Sequence, residues 1–135
     1  MLAQHLLTVR VYYEDTDFTG VVYHASYLRF LERGRTEFLR ACGIRQTELF
    51  DCATGTGLAF AVRKMAIEFL KPARMDDVLS VETRVDKVGG ASIEMAQRIL
   101  RGDEPLIAAH VRIAAVSGGR ARRLTDAILA KLSCD

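Results

Sequence analysis

Residues 12–27 read Tyr-Tyr-Glu-Asp-Thr-Asp-Phe-Thr-Gly-Val-Val-Tyr-His-Ala-Ser-Tyr. Two carboxylates, Asp15 and Asp17, precede Gly20 and His24. A carboxylate serves as a general base or as a nucleophile. A helix that begins just after it offers unpaired backbone N–H groups and a positive dipole end. Those donors suit an oxyanion forming on a carbonyl. Gly20 lets the backbone come close to a ligand. Together these parts make a hydrolytic site that needs no metal. A plainer reading fits the same residues, with Asp15 and Asp17 as turn or capping side chains. His24 either positions a ligand and moves protons, or is a satisfied histidine near a helix cap. Tyr13 either sends its hydroxyl into the site or packs. His5 and His110 have no spacing that joins them to His24 in a metal site, so none is expected.

The elements that must position these residues follow from hydropathy. Leu7, Val9, Val11 and Tyr13 alternate with Thr8 and Arg10, a period-two strand that runs into the acidic turn. From Tyr27 the period changes. Leu28, Leu31, Arg35, Phe38, Leu39 and Cys42 share one helical face, and Glu32, Arg33, Thr36, Glu37 and Arg40 mostly line the other. Gly43 supplies a left-handed C-cap. Residues 44–59 are less regular, with a short helical turn at 47–50 and a loop at 53–57. Ala61, Met65, Ile67 and Phe69 mark a second strand that Pro72 ends. Leu79, Val81, Thr83 and Val85 mark a third, and Gly89-Gly90 turns it into a fourth carrying Ile93, Met95, Gln97 and Ile99. Residues 106–116 form the most apolar strand, expected at the centre. Thr125 caps a short last helix that runs to Leu132.

This order predicts an α+β fold, an antiparallel sheet with one long helix against one face. The other face and an open edge call for self-association. No repeat or linker divides the chain, so residues 1–135 are expected to form a single domain.

Composition narrows the function classes. Half of the 135 residues are hydrophobic, which excludes a disordered chain. The net charge is +2, and the basic residues are scattered rather than gathered in a stripe, so no nucleic-acid partner is expected. The one dense group, Arg120, Arg122 and Arg123, is either a solvated tail or a phosphate contact. Cys42, Cys52 and Cys134 make neither a disulfide framework nor a zinc pattern, and Cys42 falls on the apolar helix face. There is no signal-like N-terminus and no apolar run of roughly 18 residues, so a cytoplasmic protein without membrane insertion is expected.

The stretch V-Y-Y-E-D-T-D-F-T-G-V-V-Y-H-A-S-Y-L-R-F-L-E-R-G-R-T-E-F-L-R, residues 11–40, resembles the signature of the YbgC-like thioesterases. These belong to the 4-hydroxybenzoyl-CoA thioesterase branch of the hotdog superfamily. A second similar stretch is V-R-K-M-A-I-E-F-L-K-P-A-R-M-D-D, residues 62–77, and the likeness runs over about residues 7–116. It implies a hotdog fold, a sheet wrapped around a long helix, and hydrolysis of acyl-CoA thioesters. The second Asp of D-x-D-x-x-G, here Asp17, would be catalytic, with His24 and Tyr13 in the active site. Gly20, Val21, Val22, Tyr23 and Ala25 would bind the substrate, the N–H groups of residues 22–25 holding the carbonyl oxygen. No cofactor is implied, coenzyme A being part of substrate and product. Homodimers or homotetramers with active sites at the subunit interface are implied, as is a genomic setting beside the Tol–Pal envelope system. Phosphate contacts would fall to Arg63, Lys64, Lys87 and Arg123, each of which also reads as plain solvated charge. Two other functions suit the same fold: an acyl-CoA-binding regulator without turnover, and a dehydratase of 3-hydroxyacyl thioesters.

Overall fold

Stretches of period two and period 3.6 separate into a sheet and a helical layer in the computed structural model, which describes residues 4–51 and 57–133. Strand β1 is Gln4–Arg10 and helix α1 is His24–Ala41. A short helix, α2, spans Gln46–Phe50. Strands β2 (Ala59–Phe69), β3 (Val78–Val88), β4 (Ser92–Arg101) and β5 (Glu104–Ser117) follow. A two-residue strand β6 (Arg120–Ala121) and helix α3 (Asp126–Leu132) complete the order. The strands form one antiparallel sheet in the order β1-β3-β4-β5-β2, with β6 beside β5. This is the hotdog architecture, a curled sheet around α1.

Helix α1 lies on the concave face because its buried side chains recur at helical spacing. Tyr27, Phe30, Leu31, Gly34, Arg35, Phe38 and Leu39 form the stripe. The helix starts three residues earlier than its periodicity suggested, and Tyr27 and Phe30 join the core. Leu28 sits off the stripe and is 40 % exposed, contrary to expectation. The core divides along α1. Val11, Tyr27, Leu31, Leu79 and Ile107 pack near the helix start. Phe38, Leu39, Met95, Ile113 and Leu132 pack near its end, with Cys42 against them. Each large apolar side chain so buried contributes about 1.5–3 kcal/mol.

One polar side chain fastens the helix to the sheet. Gln97 on β4 is fully buried; its Nε2 donates to Leu31 O at 3.0 Å and to Thr83 Oγ1 at 2.8 Å. Its Oε1 accepts from Arg35 Nη1 at 3.0 Å. Gly34 brings the helix close at the same level, since a Cβ there would stand 2.6 Å from Val81 Cγ1.

Several boundaries differ from those read in the sequence. Strand β1 stops at Arg10, and Tyr13 lies in a 3-10 turn, Tyr13–Asp15. The buried Asp15 carboxylate accepts from Tyr12 N at 2.8 Å and bends the chain there. Strand β5 is interior, but β4 is the middle strand. The capping signals hold: Gly43 has φ +84°, and Thr125 Oγ1 accepts from Ile128 N at 3.2 Å. The loop expected at 53–57 lies mostly outside the described residues, as do Cys52 and Cys134. Among the described residues no helix is long and apolar enough to cross a membrane.

Candidate active site

The two aspartates face different ways. Asp15 is buried, held by Tyr12 N, with Arg29 Nη2 at 3.7 Å. Asp17 opens the loop that leads into α1. Its N–H donates to Val21 O at 2.9 Å, and Gly20 N–H donates back to Asp17 O at 3.1 Å. Gly20 has φ +86°, a backbone state that side chains disfavour, and a Cβ there would touch nothing. Turn geometry, rather than close approach of a ligand, therefore accounts for this glycine.

The Asp17 carboxylate is fixed from one side. Oδ1 accepts from Thr19 N at 2.8 Å and Thr19 Oγ1 at 2.5 Å. Among the described residues Oδ2 has no hydrogen-bond partner. The Thr19 hydroxyl, followed by the Thr19 N–H, holds the carboxyl below its ordinary pKa. Asp17 is thus a charged group with one oxygen free at neutral pH.

Asp17 belongs to the wall of a cleft of about 420 Å³. Asp17, Val22, Tyr23, His24 and Tyr27 line it from the loop and the first turn of α1. Residues 69–72, from the end of β2 onward, form the opposite wall. The His24 ring lies tilted at 46° against Tyr23 with centroids 4.4 Å apart, and nearly perpendicular to Phe69 at 6.4 Å. Tyr27 accepts from Ala73 N at 2.9 Å through its hydroxyl, and burial pushes its pKa up, so it stays protonated. Residue 73 also receives the Val22 N–H at 2.8 Å. The loop and the helix start are therefore both pinned to the chain leaving β2.

The donors at the helix start are fewer than the sequence suggested. Val22 N–H is committed to Ala73 O, and Tyr23 N–H to Asp15 O at 2.9 Å. A carbonyl cannot use either, because each already points at an acceptor. Ser26 N–H closes back on Tyr23 O. Among the described residues no side chain caps α1. The N–H groups of His24 and Ala25 remain as first-turn donors without partners among the described residues. Val21 is bridged to Arg74 beside the cleft. Tyr13 is 79 % exposed and is not part of the cleft wall.

The sequence profile of the Thioesterase superfamily matches residues 19–108, well over half the chain. The chain belongs to that superfamily. Its profile match opens two residues after Asp17. A relative from Haemophilus influenzae, an acyl-CoA thioesterase YbgC, is 48% identical over 112 residues, 83% of this chain and 80% of that protein. A probable thioesterase from Bartonella henselae has a solved structure that is 48% identical with a TM-score of 0.87, covering 91% of this chain and 100% of that one. The 4-hydroxybenzoyl-CoA thioesterase of Pseudomonas sp. strain CBS-3 shares the fold, with a TM-score of 0.86 at 18% identity over 95% of this chain and 98% of that one.

In this thioesterase-superfamily chain the basic candidates separate. Arg63 is the bulged residue between Val62 and Lys64 in the β2–β5 ladder, and Arg63 and Lys64 line a hollow of about 360 Å³ with Ser92 and Arg112. Lys87 is exposed on β3, and Arg123 is exposed with Nη1 near Gly90. Neither lines that hollow. Sequence reasoning missed Tyr27, Phe69, Leu70, Lys71 and Pro72 as cleft residues. Tyr27 reads as helix core, and residues 69–72 read as a strand end. Only the sheet order brings them to the helix start. Among the described residues no group of three His, Cys, Asp or Glu side chains could hold a metal ion.

Proposed function

We propose that this chain hydrolyses acyl-CoA thioesters to a carboxylic acid and coenzyme A, with Asp17 as the reacting carboxylate. The observation that carries this is the pairing, in one cleft, of an ionised carboxylate with a free oxygen and an uncapped helix N-terminus. The His24 and Ala25 N–H groups hold the thioester oxygen as charge develops on it. Asp17 Oδ2 then either takes a proton from a water that attacks the carbonyl carbon, or attacks that carbon itself. On the second route the C–S bond breaks, the thiolate leaves and is protonated by solvent, and water opens the resulting anhydride. The lowered pKa of Asp17 favours the second route, because a weak base gains little from general-base catalysis. His24, held between Tyr23 and Phe69, orients the thioester.

The coenzyme A portion leaves the cleft along β2. Lys64 lies five residues before Phe69, about 17 Å along a strand, and the pantetheine arm spans that interval. Arg63 and Lys64, with Arg112 beside them, meet the phosphates. Among the described residues strand β2 pairs only with β5, so its other edge is open along the rim of the cleft. Val62, Phe69 and Leu70 are exposed there. A homodimer joined through β2, or a tetramer of such dimers, covers these side chains and places the cleft at the interface. The cytoplasm is the compartment that fits this substrate.

Release of free thiol from short, long and aromatic acyl-CoAs tests this function. Turnover on at least one class is expected. Binding without thiol release would instead identify a regulator, and loss of water from a 3-hydroxyacyl-CoA a dehydratase.

A further inference from the structure

Helix α1 and strand β2 both run on past the Asp17 cleft. Eleven residues along the helix from His24, about 16 Å at 1.5 Å per residue, a second hollow of about 260 Å³ opens between the same two elements. Arg35, Leu39, Phe60 and Val62 line it, and Glu32 and Thr36 belong to the same wall. Arg35 is only 7 % exposed. Among the described residues its one hydrogen-bond partner is a neutral oxygen, Gln97 Oε1 at 3.0 Å, and no carboxylate comes within ion-pair distance. Burial lowers the guanidinium from its ordinary value, and Glu32, one turn earlier, offsets only part of that.

A buried cation without a paired anion is strongly unfavourable. A guanidinium offers five donors in a fork that matches a carboxylate. Arg35 therefore presents unused donors to the hollow it lines. Between the two hollows in chain order stand Leu28 on α1, exposed, and Met65 and Ile67 on β2, half-buried, while the exposed Glu32 shares the second hollow with Arg35. Apolar side chains on the way to a buried cation suit a ligand that is apolar along its length and anionic at its tip, provided the tip meets Arg35 rather than the exposed Glu32.

We propose that Arg35 is a specificity-determining residue that selects acyl groups ending in a carboxylate. Such a chain reaches from the reacting carbonyl to Arg35 in about 14 bonds, given about 3.5 Å per three bonds of an extended chain. This assignment rests on the acyl-CoA reading of the cleft.

The test is binding of thioether analogues of acyl-CoA, which cannot be hydrolysed, in pairs of equal length ending in methyl or in carboxylate. The wild-type protein binds the carboxylate member at least ~10-fold tighter when the chain is near 14 bonds, and shows no such preference when it is about six bonds shorter. Arg35→Met abolishes the preference and Arg35→Lys keeps part of it. A wild-type preference for methyl, or one independent of length, overturns the assignment whether or not the variants fold. So does a folded Arg35→Met protein that keeps the preference. Length-dependent discrimination without any thioester turnover upholds Arg35 and removes the proposed hydrolysis. Turnover without discrimination does the reverse.

Discussion

Replacing Gln97 with Met tests how the helix that carries the cleft is held. Met matches Gln in length, so the change removes hydrogen bonds without opening a large cavity. The wild-type amide accepts from Arg35 and donates to Leu31 O and Thr83 Oγ1. The bond to the charged group is worth about 1.5–3 kcal/mol and each neutral bond about 1 kcal/mol. Added apolar burial returns on the order of 1 kcal/mol, leaving a net loss of about 2–4 kcal/mol. For a chain of 135 residues that is a fall in Tm of roughly 6–15 °C. Urea unfolding at one fixed protein concentration is the assay, since self-association makes stability depend on concentration. The double variant Gln97→Met, Arg35→Met removes the orphaned charge as well, so its loss should fall short of the sum of the single losses by at least ~1 kcal/mol. A Gln97→Met protein as stable as wild type, or strictly additive losses, would show that the network does not fasten α1 to the sheet.

Three further outcomes concern the cleft. Thr19→Val removes the first cause of the lowered Asp17 pKa. Asp17 must be ionised, so activity falls as pH drops through its pKa, in the wild type below the ordinary carboxylate value of about 3.9. The acid limb of kcat/KM should move to higher pH in the variant, and an unmoved or lowered limb counts against Asp17 as the titrating group. Asp15→Asn should lower the unfolding free energy by about 1 kcal/mol while turnover changes little, because Asp15 is buried and bonded to Tyr12 N; a variant of normal stability without activity would reverse the roles of the two aspartates. His24→Ala should lower turnover by about 10-fold or more with assembly intact on light scattering. Loss of assembly together with activity would make the histidine structural.

Local pattern carried much of this structure. The alternation at Leu79, Val81, Thr83 and Val85 is a burial alternation in the sheet, because side-chain direction in a strand depends only on neighbours along the chain. The Asp-x-x-Gly turn was legible for the same reason. The cleft was less so. Its far wall comes from residues 69–72, about 45 positions beyond His24, and only the placement of β2 as an edge strand brings them there. The same distance in sequence hid the commitment of Val22 N–H to Ala73 O. Leu28 misled because it is apolar, yet one position off the stripe that faces the core.

Turnover of Asp17→Asn, measured beside its acyl-CoA affinity and its unfolding midpoint, bears most directly on the chemistry. Asn keeps the shape of the side chain and an oxygen for the Thr19 donors, but has neither the charge nor the free carboxylate oxygen. The expected result is a folded protein that binds acyl-CoA with near-normal affinity and turns it over at least ~100-fold more slowly. A folded Asp17→Asn protein with near-normal turnover would contradict Asp17 as the reacting group.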